Sequence, residues 1–226
     1  FVLFWLLTIR QSVSGQLGGT FAFHTVPYDY EVLKDVINQP EYFRTFWVPH
    51  IQRYGFSTYM HPGIDASLVL DTSTPSSMFA WFGSKEGIEE LSRWSVKYII
   101  LPYDSQGEIF LDDRKYSEKQ RNVFQEALDA NPNFSKKLIP GISPKLSVYE
   151  TIRYMDHLWL EEFTALRLSW YMKSPTSYMF IKPALAFPVH LVFSESYDPH
   201  WQVRVGNQLI KSVKTQDNLN SFTLPA

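Results

Sequence analysis

Cysteine is absent from this 226-residue chain. That excludes disulfides, thiolate metal ligands and a cysteine nucleophile, and it leaves the redox compartment open. Basic runs are absent too. With 21 Lys and Arg against 23 Asp and Glu, the net charge is −2, so the electrostatic footprint of a nucleic-acid binder is lacking. The chain has no Gly-rich phosphate loop, Gly-x-Ser-x-Gly elbow or His-Glu-x-x-His pair. It also has no Asp-x-Asp, the motif with which a metal-dependent nucleotide-sugar transferase would hold its cation. Long hydrophobic runs are missing as well. "FVLFWLL" at the start is apolar throughout, but a spanning helix needs about 20 such residues. It has neither the basic start nor the small-residue cleavage site of a signal peptide. Phe1–Leu7 therefore reads either as a core strand or as the end of a transmembrane helix, with Arg10, Gln11 and "SGQLGG" marking an exit into water.

Aromatic residues are abundant. The 17 Phe, 13 Tyr and 7 Trp make up 16% of the chain, which favours strands, where aromatic side chains suit a half-buried pleated surface. After the Gly-rich stretch, "PYDYEVLKDVINQ" (27–39) reads as a helix. Asp29 and Glu31 sit in its first turn, Val32, Leu33, Val36 and Ile37 form an apolar face, and Pro40 closes it. "FRTFWVP" (43–49) reads as a strand. Residues 50–83 read as irregular apart from a strand in "SLVLDT". "SKEGIEELSRWS" (84–95) is a helix with Ser84 as N-cap, and "VKYIILP" (96–102) is a strand covered on both faces. Ser117 and Gln120 form a capping box opening a helix over 117–132. "FSKKLIP" and "KLSVYET" follow as strands around "GISP".

From Leu158 onward the pattern becomes strand–turn–strand, with a hairpin around Ser-Pro-Thr and another at Gly206-Asn207. The expected fold is α+β: an α/β layered subdomain over 27–150 and a small antiparallel β-sandwich over 151–226. Residues 1–26 would form the end of a membrane helix and a linker.

Candidate chemistry is thin. His50, His61 and Asp65 could bind a metal, but their spacing matches no ligand pattern. Asp112-Asp113 beside Arg114-Lys115 reads as a solvated turn. Glu161-Glu162, if extended, point to opposite faces. Asn133-Phe134-Ser135 matches a glycosylation sequon. The densest stretch is "FSESYDPHWQV" (193–203). Glu195 and Asp198 could accept sugar hydroxyls, and Tyr197 and Trp201 could stack on a ring. Strand parity puts Val189, Leu191, Phe193 and Glu195 on one face and His190, Val192, Ser194 and Ser196 on the other. The segment is then a strand, a corner and a second strand, with Trp201 reading first as a plug of the sandwich. A free-standing hydrolase would need Glu195 with Asp198 or another carboxylate as an acid–base pair.

The run "SPTSYMFIKPALAFPVHLVFSESYDPHWQVRVGNQ" resembles the closing segment of large bacterial multi-pass membrane proteins of the GT-C glycosyltransferase type, including the YfhO-like group. Ser174, Pro175, Thr176, Tyr178, Ser194, Glu195, Tyr197, Pro199 and Trp201 carry the pattern. "FRTFWVP", "WSVKYIILP", "KLSVYE" and "SGQLGG" resemble segments of the same module. His200 departs from the pattern, which often has glycine there.

The resemblance implies an extracytoplasmic, non-catalytic domain of a membrane-bound transferase acting on lipid-linked sugars. Its partners would be its own transmembrane domain and a cell-envelope glycan or polyprenyl-linked sugar, with no nucleic acid. No catalytic residue, metal or cofactor carries over. Carbohydrate contact is expected at Glu195, Tyr197, Asp198 and Trp201. The alternative is a purely structural or partner-binding module that caps the membrane domain.

Overall fold

The computed structural model describes residues 4–5, 26–52, 54–70, 75–103 and 118–226. Most of Phe1–Leu7, the linker to residue 25, the Ser117 cap and Asp112-Asp113 lie outside them. Among the described residues, no helix is long and apolar enough to cross a membrane.

The fold is α+β. Its first unit is built on five strands: β1 (Arg44–Trp47), β2 (Gly63–Asp65), β3 (Val96–Leu101), β4 (Phe134–Lys137) and β5 (Ser147–Thr151). They form one mixed sheet in the order β2-β1-β3-β5-β4. β1 runs parallel to both β2 and β3, while β5 pairs antiparallel with β3 and β4. Every residue of β3 is buried, as its unbroken apolar run requires of a strand covered on both faces. The period of two sorts the side chains into two cores. Trp47, Tyr98, Ile100 and Val148 meet helix α1 (Tyr28–Ile37) through Tyr30, Leu33 and Ile37. Phe46, Ile99, Leu101 and Tyr149 meet a helical layer on the opposite face.

Three sequence expectations about this unit change. "SLVLDT" does not form a strand. Ala66–Val69 is a short helix, α2, because the Asp65 carboxylate accepts from Ser67 N and Ser67 Oγ at its start. That cap outweighs the strand preference of Leu and Val. Pro75–Gly83 is also a helix, α3, burying Met78 and Phe82. Its "MFAWF" core is apolar on every side, so no 3.6-residue stripe betrays it. Finally, α1 buries Tyr30, Leu33 and Ile37, whereas Val32 and Val36 are only partly covered. The other helices follow the expected pattern. α4 (Lys85–Arg93) has Ser84 as its N-cap, with Ser84 Oγ accepting from Gly87 N at 2.9 Å. α5 (Glu118–Asp129) buries Phe124 and Leu128.

The chain leaves this sheet at Thr151 and enters the next at Leu158. The second unit begins with β6 (Leu158–Leu160), followed by a hairpin of β7 (Trp170–Ser174) and β8 (Ser177–Phe180), and then by β9 (Val189–Ser196). A second hairpin, β10 (Gln202–Val205) and β11 (Gln208–Lys211), precedes β12 (Val213–Lys214) and β13 (Leu219–Leu224). Four of these strands make an antiparallel sheet in the order β12-β13-β9-β6, and the two hairpins cover one face of it. Gly206, at φ +57°, supplies the left-handed turn of the second hairpin, a conformation that glycine reaches without a Cβ penalty. Trp170, Tyr178, Phe180, Trp201, Val203 and Ile210 from this layer pack on Leu158, Leu191, Phe193 and Phe222. On the other face, Trp159, Val192 and Leu219 pack on Trp94 of the first unit.

Candidate functional site

The expected strand parity of β9 holds as far as Phe193 and then breaks. Phe193 pairs with Asn220, but Leu219 pairs with Ser196. Two residues, Ser194 and Glu195, therefore bulge from the ladder, and such a bulge re-aims side chains. Asn220 fills it, fully buried. Its amide N–H groups donate to Glu195 O (2.8 Å) and Ser196 O (3.1 Å), and its Oδ1 accepts from Ser212 Oγ and Asp198 N. The amide thus satisfies its full hydrogen-bonding capacity within the protein.

The bulge presents Ser194 and Glu195 to the first unit. Arg44 of β1 donates from Nη1 to Ser194 O and to Trp94 O, and its Nη2 sits 2.8 Å from Glu195 Oε1. Ser95 Oγ lies 2.9 Å from Ser194 Oγ, whose neighbour at 2.8 Å is His157 Nδ1. Ser95 has φ +61°. A non-glycine residue there costs about 1–2 kcal/mol, and its hydroxyl bridges the two units where glycine could not. His157 is fully buried between Tyr42 (ring centroids 3.8 Å apart) and Phe193 (4.7 Å). Burial, assisted by the Arg44 charge, pushes its pKa well down, so the ring is neutral. Its Nδ1 lies 2.8 Å from Ser194 Oγ, and its Nε2 faces Glu195 Oε1 at 3.7 Å, beyond hydrogen-bond range.

Ser194, His157 and Glu195 together resemble a hydrolytic triad in composition. Ser194 and His157 are fully buried, and Glu195 is held by Arg44. No substrate can reach Ser194 Oγ in this arrangement, so what the cluster does is join the two units.

An open cleft of about 470 Å³ lies in the second unit, between the two hairpins. Trp201, Tyr178, Phe180 and Phe193 supply its aromatic wall, with Thr176, Ser177, His200 and Gln202 among its polar residues. Trp201 meets Phe193 edge-on at 4.9 Å and lies 6.1 Å from Tyr178. The Tyr178 ring is also 5.1 Å from His157, so the cleft backs onto the junction. Burial, with the Glu195 charge second, pushes the Tyr178 phenol up to about 12. The hydroxyl is therefore protonated at neutral pH, and it donates to Pro175 O at 3.2 Å.

Of the four residues expected to contact carbohydrate, Trp201 lines this cleft, half-buried rather than sealed in the core. Glu195 is committed to the junction. Asp198 closes a tight turn, its Oδ1 accepting from His200 N (2.8 Å) and contacting His200 Nδ1 (2.7 Å). Those bonds hold its carboxyl below the usual range. Tyr197 is half-buried, with its N–H donating to Asn218 O. Sequence reasoning missed the pairing of Tyr178 with Trp201 across two hairpins, because nothing in the spacing sets them side by side.

The remaining candidates separate. His50 approaches Asp65 (3.3 Å) and Ser67 (2.8 Å). His61 turns away, buried against Phe43 and bonded to Glu41 O and Thr58. Among the described residues, no three His, Asp or Glu side chains gather as a metal site. Glu161 and Glu162 occupy a 3₁₀ turn rather than a strand; Glu161 approaches Arg93 and Glu162 accepts from His190. Asn133 of the sequon is exposed.

Compared with known proteins, the chain matches no family model, no curated protein and no solved structure.

Proposed function

We propose that this chain is a non-catalytic, extracytoplasmic domain of a membrane-bound glycosyltransferase acting on lipid-linked sugars, and that it contacts the acceptor or donor glycan through the inter-hairpin cleft. The observation that carries the glycan reading is the half-buried Trp201 beside Tyr178 in a cleft with polar residues along it. Amphipathic aromatic faces suit the C–H faces of a pyranose, and hydroxyl and amide groups along the edge suit its hydroxyls. The membrane and transferase parts rest on the resemblance of residues 174–208 and of the "FRTFWVP" and "WSVKYIILP" strands. A cleft this open favours weak binding, with a Kd of about 1 mM, or about −4 kcal/mol.

The test is an NMR titration with cell-envelope oligosaccharides, following the Trp201 indole. The expected result is a saturable shift at Trp201 and at Tyr178, lost in Trp201→Leu while the circular dichroism spectrum is kept. Gln202→Ala, at an exposed position, should weaken binding without touching the fold. No shift at Trp201 with any oligosaccharide would end the glycan reading.

A second reading, a structural module capping its own membrane domain, is favoured by one observation. Glu195, in the most chemistry-rich segment, is used to fasten the two units. On that reading the cleft takes no sugar, and Trp201→Leu changes stability alone.

A further inference from the structure

Two strand edges border the inter-hairpin cleft. Ser177–Phe180 of β8 line it on one side and residues 202–204 of β10 on the other, with none from β7 or β11 among the described residues. Successive residues of a strand point to opposite faces, so a wall of three or four in a row is the strand's edge. Among the described residues, β8 pairs only with β7, and β10 only with β11. The direction of the free backbone groups follows from the ladders, because pairs in an antiparallel hairpin alternate between bonded and unbonded. Ile181 N donates to Ser169 O at 2.9 Å. Met179 and Tyr171 are therefore a bonded pair, and Tyr178 and Phe180 are not bonded to β7. Ser212 N donates to Trp201 O at 3.1 Å. Val203 and Ile210 are therefore bonded, and Gln202 and Arg204 are not bonded to β11. The N–H and C=O groups of Tyr178, Phe180, Gln202 and Arg204 thus point out of their hairpins, on the cleft side. The sheet beneath contributes Leu191, Phe193 and Phe222 to the lining. The four hairpin strands carry Lys173, Arg204 and Lys211, all exposed, and no carboxylate. Asp198, just before β10, is bonded to His200.

We infer that this cleft takes an extended segment of a partner protein as an added strand, with apolar residues facing the sheet and alternating Asp or Glu facing solvent. An unpaired strand edge is a template for another chain. The occupant follows from the edges, since an extended polypeptide repeats its outward N–H and C=O groups every second residue, about 7 Å apart. Tyr178, Phe180, Gln202 and Arg204 bond its main chain. Its outward acidic side chains lie beside Arg204, where an opposite-charge neighbour is favourable. The segment need be no longer than β8 and β10, which have four residues each. The inference does not rest on the glycan reading; a seated strand covers Trp201, so strand and sugar exclude one another.

The experiment is amide hydrogen exchange by NMR on the full chain, alone and with the peptide acetyl-Val-Glu-Val-Glu-Val-amide. In the free protein the amides of Tyr178, Phe180, Gln202 and Arg204 should exchange fast. Those of Met179 and Val203, bonded within their hairpins, should exchange slowly. Saturating peptide should slow the first four about tenfold or more and leave Met179 and Val203 unchanged. A peptide with lysine in place of glutamate should bind about fivefold more weakly. One with proline at its centre, which lacks the N–H, should also lose affinity. Arg204→Glu, at an exposed position, should weaken the acidic peptide about fivefold and favour the basic one. Sugar binding moves the Trp201 indole without this alternation of protected amides, so the two readings fail separately. Four results would overturn the inference: edge amides already slow in the free protein, no protection with the peptide, equal affinity for the acidic and basic peptides, or protection that rises with protein concentration alone. The last would make the occupant a second copy of this chain.

Discussion

Arg44 and Glu195, 151 positions apart in the chain, are joined at 2.8 Å across the boundary between the mixed sheet and the β-sandwich. Arg44 is almost fully buried, Glu195 is about one-third exposed, and the same guanidinium holds the Ser194 and Trp94 carbonyls. The two members of the pair are therefore unequal. Arg44→Met strands one carboxylate and two carbonyls, and should cost about 3–5 kcal/mol. Glu195→Gln leaves Arg44 on its two carbonyls, and should cost about 1–2 kcal/mol after allowance for solvent around the carboxylate. Urea denaturation of both single variants and the double variant checks this through the coupling energy. Equal and additive effects would show that the contact does not fasten the units.

His157 and His61 predict an acid limb in stability. Burial lowers both pKa values, so the folded protein resists protons that the unfolded chain takes up below its ordinary value of about 6.5. The associated stability is fully present above about pH 6.5 and is lost as pH falls below it, by up to about 1.4 kcal/mol per pH unit for each histidine. Glu41 and Glu162, also lowered, add to the loss only nearer pH 4.5. His157→Gln should flatten the slope between pH 6.5 and pH 5, measured by denaturation at stepped pH. An unchanged slope would remove His157 as a source of the limb.

Gly87 reverses an ordinary helix rule. Alanine in place of an interior helical glycine usually stabilises by about 1 kcal/mol. At Gly87 a Cβ would fall 2.1 Å from Trp81 O, a backbone atom, so α3 and α4 would have to separate. Gly87→Ala should therefore destabilise by about 2 kcal/mol or more, read as a lower Tm. A raised Tm would mean that the helix contact is looser than its geometry indicates.

The α+β class was legible because its signals are local. Ser84 is followed by an amphipathic run, the 96–101 stretch is apolar throughout, and Gly206-Asn207 sits between alternating strands. Each constrains only its own few residues. Where a segment's identity turned on a cap or on neighbours, periodicity misled, as in "SLVLDT" beside Asp65 and in the all-apolar turns of α3. The candidate site was legible only at Trp201. Its partner Tyr178 arrives on a different hairpin, and the cleft exists only once both hairpins cover the sheet.

Composition and spacing alone determined that the chain has no thiol chemistry, that its first half alternates helix with buried strand, and that its second half is strand and turn. Each follows from residue chemistry or from periods of 3.6 and 2 that need no distant partner. Only the tertiary structure decided what Glu195 does. Its position at the end of an apolar strand face is compatible with a free acid. Asn220 fills a two-residue bulge that turns Glu195 towards Arg44, and no one-dimensional pattern encodes a bulge whose filler and whose cation come from strands 25 and 151 residues away.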